Sequence, residues 1–244
     1  MRLWRRDAAH YARRNARRLA RIARWERPPA NRSERLRAWA SMLLTDHGLF
    51  RLVYLNRHRV GAGRLWRSAQ PAPHQIDAMA RAGLRTIVCL RGEPEYGSGP
   101  LERERCRALG LDFRTIALRS RAAPEAGTIL ALKRIYATIP YPALIHCKSG
   151  ADRAGLAAAL YLVFEENVPP REAMRQLSLR YGHVRQAKTG ILDRFFTAYL
   201  EAAARDPIAF EDWVRERYDP VALEASVKDG RWSNLIVDRV LRRE

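Results

Sequence analysis

At 244 residues and 47% hydrophobic content, the chain can hold one catalytic-sized core plus an appendage. No stretch approaches roughly eighteen uninterrupted apolar residues, so no transmembrane helix is expected. Three cysteines, Cys89, Cys106 and Cys147, form no paired framework, which excludes a disulfide scaffold and points to a reducing, cytoplasmic compartment.

The formal net charge is +19, and it is unevenly spread. Residues 1–67 hold 18 Lys+Arg against 4 Asp+Glu, while residues 68–244 hold 27 against 22. Only four basic residues are lysine, and with so much alanine the arginine excess partly reflects a GC-rich coding bias.

Residues 3–25 read as a basic amphipathic helix, with Trp4, Ala8, Tyr11, Leu19 and Ile22 at helical spacing among arginines. It has no apolar core of a secretory signal. An anionic membrane surface, a solvated basic tail and nucleic acid all suit such a segment, in that order of preference. Peripheral attachment to the inner membrane surface is the corresponding expectation. Pro28-Pro29 ends the helix. Asn31-Arg32-Ser33-Glu34 resembles a capping box, and Leu36, Trp39, Ala40, Leu43 and Leu44 form a stripe. Asp46-His47-Gly48 interrupts it before Leu49–Leu55 resumes. This second stripe is expected to pack on the catalytic domain rather than on lipid. Asn56–Gly63 reads as a linker. These features divide the chain into a basic helical extension (1–59), a catalytic domain (60–204) and a helical tail (205–244).

The catalytic domain alternates strand and helix. Leu65-Trp66 opens it; Pro73–Ala82 is a helix stopped by Gly83; Thr86–Leu90 is a buried strand. A Gly/Pro-rich loop (92–100) leads to a helix over Leu101–Leu109, then a strand over Asp112–Leu118. Arg119–Ala123 is a loop, and Pro124 opens the next helix. Helices are predicted over Pro170–Arg180, Ile191–Ala203, Phe210–Tyr218 and Val221–Lys228. The pattern implies an α/β fold: a central, mainly parallel sheet of four or five strands flanked by helices, with its site outside the carboxyl ends of the strands. Cys89 and Cys106 read as core filler. No Cys/His spacing suits zinc, and the dinucleotide and nucleotide-triphosphate glycine motifs are absent.

One stretch carries chemistry: Ile145-His146-Cys147-Lys148-Ser149-Gly150-Ala151-Asp152-Arg153-Ala154-Gly155. An apolar strand ends at a cysteine, and five residues later an arginine opens an apolar helix. A loop wound between them aims successive backbone N–H groups into one concavity, and the helix N-terminus suits an anion. The same field favours a thiolate, the nucleophilic form. Arg153 can fork onto two phosphoryl oxygens, and Gly150 permits the close turn.

His146-Cys147-x5-Arg153 resembles the signature of the protein tyrosine and dual-specificity phosphatases, in their compact bacterial branch. Leu65–Pro71 and Gly83–Arg91 resemble further strands of that branch, and the likeness spans roughly residues 60–200. It implies a dual-specificity phosphatase-like fold and a phosphomonoesterase working without metal or cofactor through a phosphocysteine on Cys147. It also implies phosphate binding by Arg153 and the amides of Lys148, Ser149, Gly150, Ala151 and Asp152, with His146 supporting the loop. Two positions depart from the pattern. Ala154 stands where a Ser or Thr follows the arginine, and Ser149 is the available substitute. The loop 119–125 lacks the family's acid Asp, so the acid candidates are Asp152, then Glu125 and Asp112, or no protein group. Lys148, with Arg119 and Arg121 placed at the same mouth, favours a lipid or inositol phosphate over phosphotyrosine or phosphoserine protein. The competing readings are a phosphate-binding pseudo-phosphatase and a membrane or nucleic-acid adaptor using the basic N-terminus.

Overall fold

The computed structural model describes residues 8–228, with side chains over residues 12–227. Residues 3–7 of the basic segment therefore lie outside the described region. The rest of it is helix α1 (Ala8–Trp25), and it folds back on the protein. Arg18 Nε and Arg21 Nη2 donate to the two oxygens of Glu95 at 2.9 and 2.8 Å. Trp25 is buried with Ala38, Met42, Ala72 and Leu101. Helix α2 (Arg32–Ala40) starts at Asn31, whose side chain accepts from the Glu34 amide. The Glu34 carboxylate accepts from the amide of Ala30, so the cap closes one residue earlier than the predicted box.

A π-helical turn (Ser41–Thr45) carries the chain from α2 into Asp46 and His47, and α3 (Gly48–Val53) follows. The second stripe is split by this geometry. Ala38 and Met42 are buried and Trp39, Leu43 and Leu52 partly so. Leu36, Leu44, Leu49, Phe50 and Val53 face outward. The extra residue of a π turn rotates the following side chains off the line of the preceding helix, so one apolar stripe serves two faces.

The predicted linker is in part a strand. β1 (His58–Val60) pairs antiparallel with β2 (Leu65–Ala69) as the sheet edge. Arg57 and Arg59 stack on Trp66, apolar contacts that arginine stems make without losing their charge to the interior. Helix α4 (Pro73–Arg81) leads to β3 (Thr86–Cys89), helix α5 (Ser98–Ala108) to β4 (Asp112–Thr115), and α6 (Ala126–Thr138) to β5 (Ala143–Cys147). The sheet order is β1-β2-β5-β3-β4, parallel except at β1. This is the expected mixed α/β architecture. All five residues of β5 are buried because helices cover both faces at the sheet's centre, hence its continuous rather than alternating apolar run.

Helix α7 (Asp152–Glu165) is buried from Ala154 to Leu162 and forms the spine of the main core. The helix predicted over 170–180 breaks after α8 (Pro170–Ala173) into two 3-10 turns. The reason is Arg67, whose guanidinium takes the Gln176 carbonyl that a continuing helix would bond to Arg180. Helices α9 (Ile191–Arg205), α10 (Phe210–Glu216) and α11 (Pro220–Lys228) complete the described residues. Phe210, Trp213, Val214 and Leu223 join the same core as α7, so the tail packs on the catalytic domain.

Candidate active site

Cys147 ends the central strand and Asp152 begins α7, so residues 148–151 form a closed loop between them. Cys147 lies at its floor, 2% exposed. The loop's outward carbonyls are each held by a buried donor. Asn56 Nδ2 donates to Ser149 O at 3.0 Å, and Arg67 Nη2 donates to both Gly150 O and Ala151 O at 2.8 Å. A peptide whose carbonyl is tied outward turns the following N–H inward, so these bonds build the anion-binding concavity. Gly150 has φ +75°, and a Cβ there would stand 2.6 Å from the backbone of Ser68 and Ala69. Only glycine fits both the backbone conformation and the strand beneath it. Gly155 serves the packing instead, since a Cβ would meet Gln176 O at 2.9 Å and Arg67 at 3.2 Å.

Arg67 is the largest fully buried side chain. Besides the loop carbonyls it bonds the backbone and side-chain oxygens of Gln176, and it stacks 4.1 Å from the Tyr181 ring centroid. Burial lowers its pKa to about 10, which leaves it cationic at neutral pH. Arg153 differs. Among the described residues it has no hydrogen-bond or ion-pair partner, and it lines a pocket of about 260 Å³ with Arg91, Tyr96, Phe113 and Lys148. A forked cation left unpaired beside inward amides suits an anion.

Behind the loop lies a buried polar cluster. His146 Nε2 stands 2.8 Å from Glu102 Oε1, both fully buried, and Nδ1 is 3.4 Å from Cys147 O. Burial opposes charge on this imidazole, yet the Glu102 carboxylate and Cys89 raise its pKa to about 10. Cys89, Glu102 and His146 bring three donor atoms of metal-ligand type within 4.8 Å of one another. The His146–Glu102 contact has the distance of an ion pair, while Nε2 and Oε1 are not aligned as a hydrogen bond.

Asp46, from the N-terminal extension, is also fully buried here. It accepts from Arg91 at 2.7 and 2.9 Å, from Arg51 at 3.0 Å and from Ser98 at 2.8 Å, and lies 3.6 Å from Lys148 Nζ. Burial would raise its pKa, but Arg91, Arg51 and Ser98 bring it down to about 2. The extension thus supplies the counter-charge for two cations of the pocket wall.

Asp152, the leading acid candidate, is already engaged. His183 Nδ1 is 2.7 Å from Asp152 Oδ1, and His183 Nε2 is 2.7 Å from Asp193 Oδ2. Burial opposes protonation of His183, but the two carboxylates raise its pKa to about 9. A pKa above the ordinary 6.5 means the clamp stabilises the fold fully below about pH 6.5 and is lost as pH rises through about 9. The melting temperature of the wild type is therefore expected to exceed that of His183→Gln at pH 6, with the difference shrinking to near zero by about pH 10 in paired thermal scans.

The other expected site residues are dispersed. Ser149 is exposed, and among the described residues no hydrogen bond joins it to Cys147. Arg119 and Arg121 are exposed on the loop after β4 and do not line the pocket. Glu125 precedes α6, also exposed. Asp112 opposes Thr86 at the start of the parallel strands, about 10 Å of strand from the site end, and pairs with Arg114. Asn56, Arg67, Arg91, Asp46 and His183 were not legible as site residues; the only local signal was the polar Arg67-Ser68 pair inside an apolar strand.

Residues 59–189 match the family model described as Swiss Army Knife protein, DSP-PTPase phosphatase domain. No curated protein matches. A putative phosphatase (DUF442) from Shewanella putrefaciens is 19% identical, covers 64% of this chain and 95% of its own, and superposes with a TM-score of 0.50. TpbA of P. aeruginosa is 18% identical, with 71% and 91% coverage and a TM-score of 0.47. The TpbA complex with pTyr is 19% identical, with 60% and 91% coverage and a TM-score of 0.46. With its domain matched over more than half its length, the chain belongs to the DSP-PTPase phosphatases, the cysteine-dependent tyrosine and dual-specificity type.

Proposed function

We propose that Cys147 and Arg153 carry phosphomonoester hydrolysis in two steps. The Cys147 thiolate attacks phosphorus, an S–P bond forms, the ester P–O bond breaks, and the leaving oxygen takes a proton. Water then cleaves the phosphocysteine to inorganic phosphate and free thiol. Arg153 and the inward amides of residues 148–153 stabilise the equatorial oxygens. The observation that carries this reading is the cradle itself: a buried cysteine at one end of a loop, an arginine without a described protein partner at the other, and the loop carbonyls between them tied away. His146 and Glu102 support the loop from behind.

Asp152 is better read as an anchor than as the acid. Its Oδ1 already lies 2.7 Å from His183 Nδ1, and that imidazole, held between Asp152 and Asp193, keeps its own proton up to about pH 9. Asp152→Asn is therefore expected to slow aryl and alkyl phosphates by the same factor in steady-state assays. A true acid would show a far greater loss with the alkyl ester, whose leaving group needs the proton.

For substrate class we infer a lipid- or inositol-borne phosphate, supported by Arg91, Arg103, Lys148 and Arg153 around the pocket. A phosphotyrosyl side chain is the second reading, favoured by Tyr96 and Phe113 in the same wall. Phosphate release from phospholipid vesicles, inositol phosphates, phosphotyrosine peptide and phosphoserine peptide ranks the classes. Fastest turnover of phosphotyrosine peptide would overturn the lipid reading. Binding with no release from any substrate would leave a phosphate-recognition module.

A further inference from the structure

Helix α3 leaves an apolar face open to solvent. Phe50 is 76% exposed, Val53 91% and Leu49 58%, with Leu44 and Tyr54 beside them in sequence. A monomeric protein rarely leaves several large apolar side chains together in water. This face is not loosely attached. Arg51 is buried on Asp46, Gln75 Nε2 bonds the Arg51 carbonyl, and the Ala69 amide bonds the Leu55 carbonyl. Three residues beyond Val53, Asn56 holds both Ser149 O of the phosphate cradle and Tyr181 O. Three residues of chain reach at most about 10 Å, so the apolar face lies close to the outer side of the cradle loop, where its carbonyls are tied. Tyr181, whose ring meets His58 at 4.9 Å, is flanked in sequence by exposed Leu179 and Val184.

Charge identifies the partner. The two rims of this surface, residues 47–64 and 173–192, contain eight Lys+Arg and no Asp or Glu; Arg51 and Arg185 are paired with Asp46 and Asp193, the Glu166 carboxylate accepts from the Ala62 amide, and the other basic residues leave the surface cationic. A second copy would set two cationic rims against each other. An anionic bilayer would receive the apolar side chains below its headgroups and the arginines at them.

We propose that α3, with the rim over 173–192, docks this phosphatase on an anionic phospholipid bilayer. This rests on the lipid reading of the substrate, and it moves the membrane contact away from α1. That helix spends Arg18 and Arg21 on Glu95. The double variant Phe50→Ser/Val53→Ser removes the wedge without touching a buried side chain.

The test is cosedimentation of the full chain with vesicles of phosphatidylcholine alone or mixed with phosphatidylglycerol. Hydrolysis of a soluble aryl phosphate is read on the same samples. The wild type is expected to bind the mixed vesicles, and the variant to bind about tenfold or more weakly, because removing two interfacial apolar groups costs at least that much partitioning. Aryl phosphate turnover is expected to stay the same in both. No binding by the wild type overturns the proposal. So does equal binding by the variant, which would assign the contact to arginines alone. A wild-type dimer that the variant converts to monomer, seen by light scattering, also overturns it by making the face a contact between copies. Vesicle binding without hydrolysis of the aryl phosphate would instead overturn the phosphatase reading and leave the docking surface standing.

Discussion

Cys147→Ser is expected to lower phosphate release by about 10⁴-fold or more while leaving phosphoester binding in place. The serine hydroxyl is a far weaker nucleophile than a thiolate, and no described group near Cys147 is placed as a base to activate it: His146 is committed to Glu102 and stays protonated to about pH 10. Binding persists because it depends on Arg153 and the loop amides, whose carbonyl anchors the substitution does not touch. Single-turnover release and equilibrium binding of inorganic phosphate, on the same variant, read the two effects separately. Retained turnover would remove Cys147 from the chemistry. Loss of binding together with turnover would show that the thiol is needed to shape the loop, and the rate alone would then carry no mechanistic weight.

The second large effect is expected at Arg67. Arg67→Met keeps much of the stem but leaves the carbonyls of Gly150, Ala151 and Gln176 without their buried donor. Removing one partner of a buried charged network costs about 3–5 kcal/mol, so chemical denaturation should show a loss of that size. In a protein of this length it corresponds to a fall in melting temperature of roughly 10 °C. Phosphate affinity should fall with it, because peptides released from Arg67 no longer aim their N–H groups inward. A variant as stable as the wild type but weak in phosphate binding would make Arg67 a positioning residue only. A destabilised variant with normal affinity at low temperature would make it purely structural.

The N-terminal extension takes part in the same economy of charge. Asp46 balances Arg91, Arg51 and Lys148 under the pocket, and α1 holds the Glu95 side of the mouth. A match to the family over residues 59–189 does not include these contacts. The extension is therefore integrated with the pocket wall.

What the amino-acid sequence determined by itself was local. The apolar run at 143–147, the cysteine, the five-residue interval, Arg153 and the apolar helix after it are contiguous, so strand end, turn and helix start follow from short-range preference. Alternation of short apolar strands with helices likewise determined the sheet and its helical cover. The tertiary structure alone decided how the cradle is held. Asn56 reaches Ser149 across 93 residues, Arg67 reaches Gly150 across 83, and Asp46 meets Arg91 across 45. An arginine in a strand or an aspartate after a helix has no periodicity that distinguishes a buried anchor from a solvated side chain. Its role appears only when the sheet sets Arg67 of β2 beside β5 and the loop that follows it. The same limit applied to the stripe over residues 36–54. Its apolar content was plain, but the π-helical turn decided which side chains turned into the core and which turned out to water, through a rotation that hydrophobic spacing does not encode.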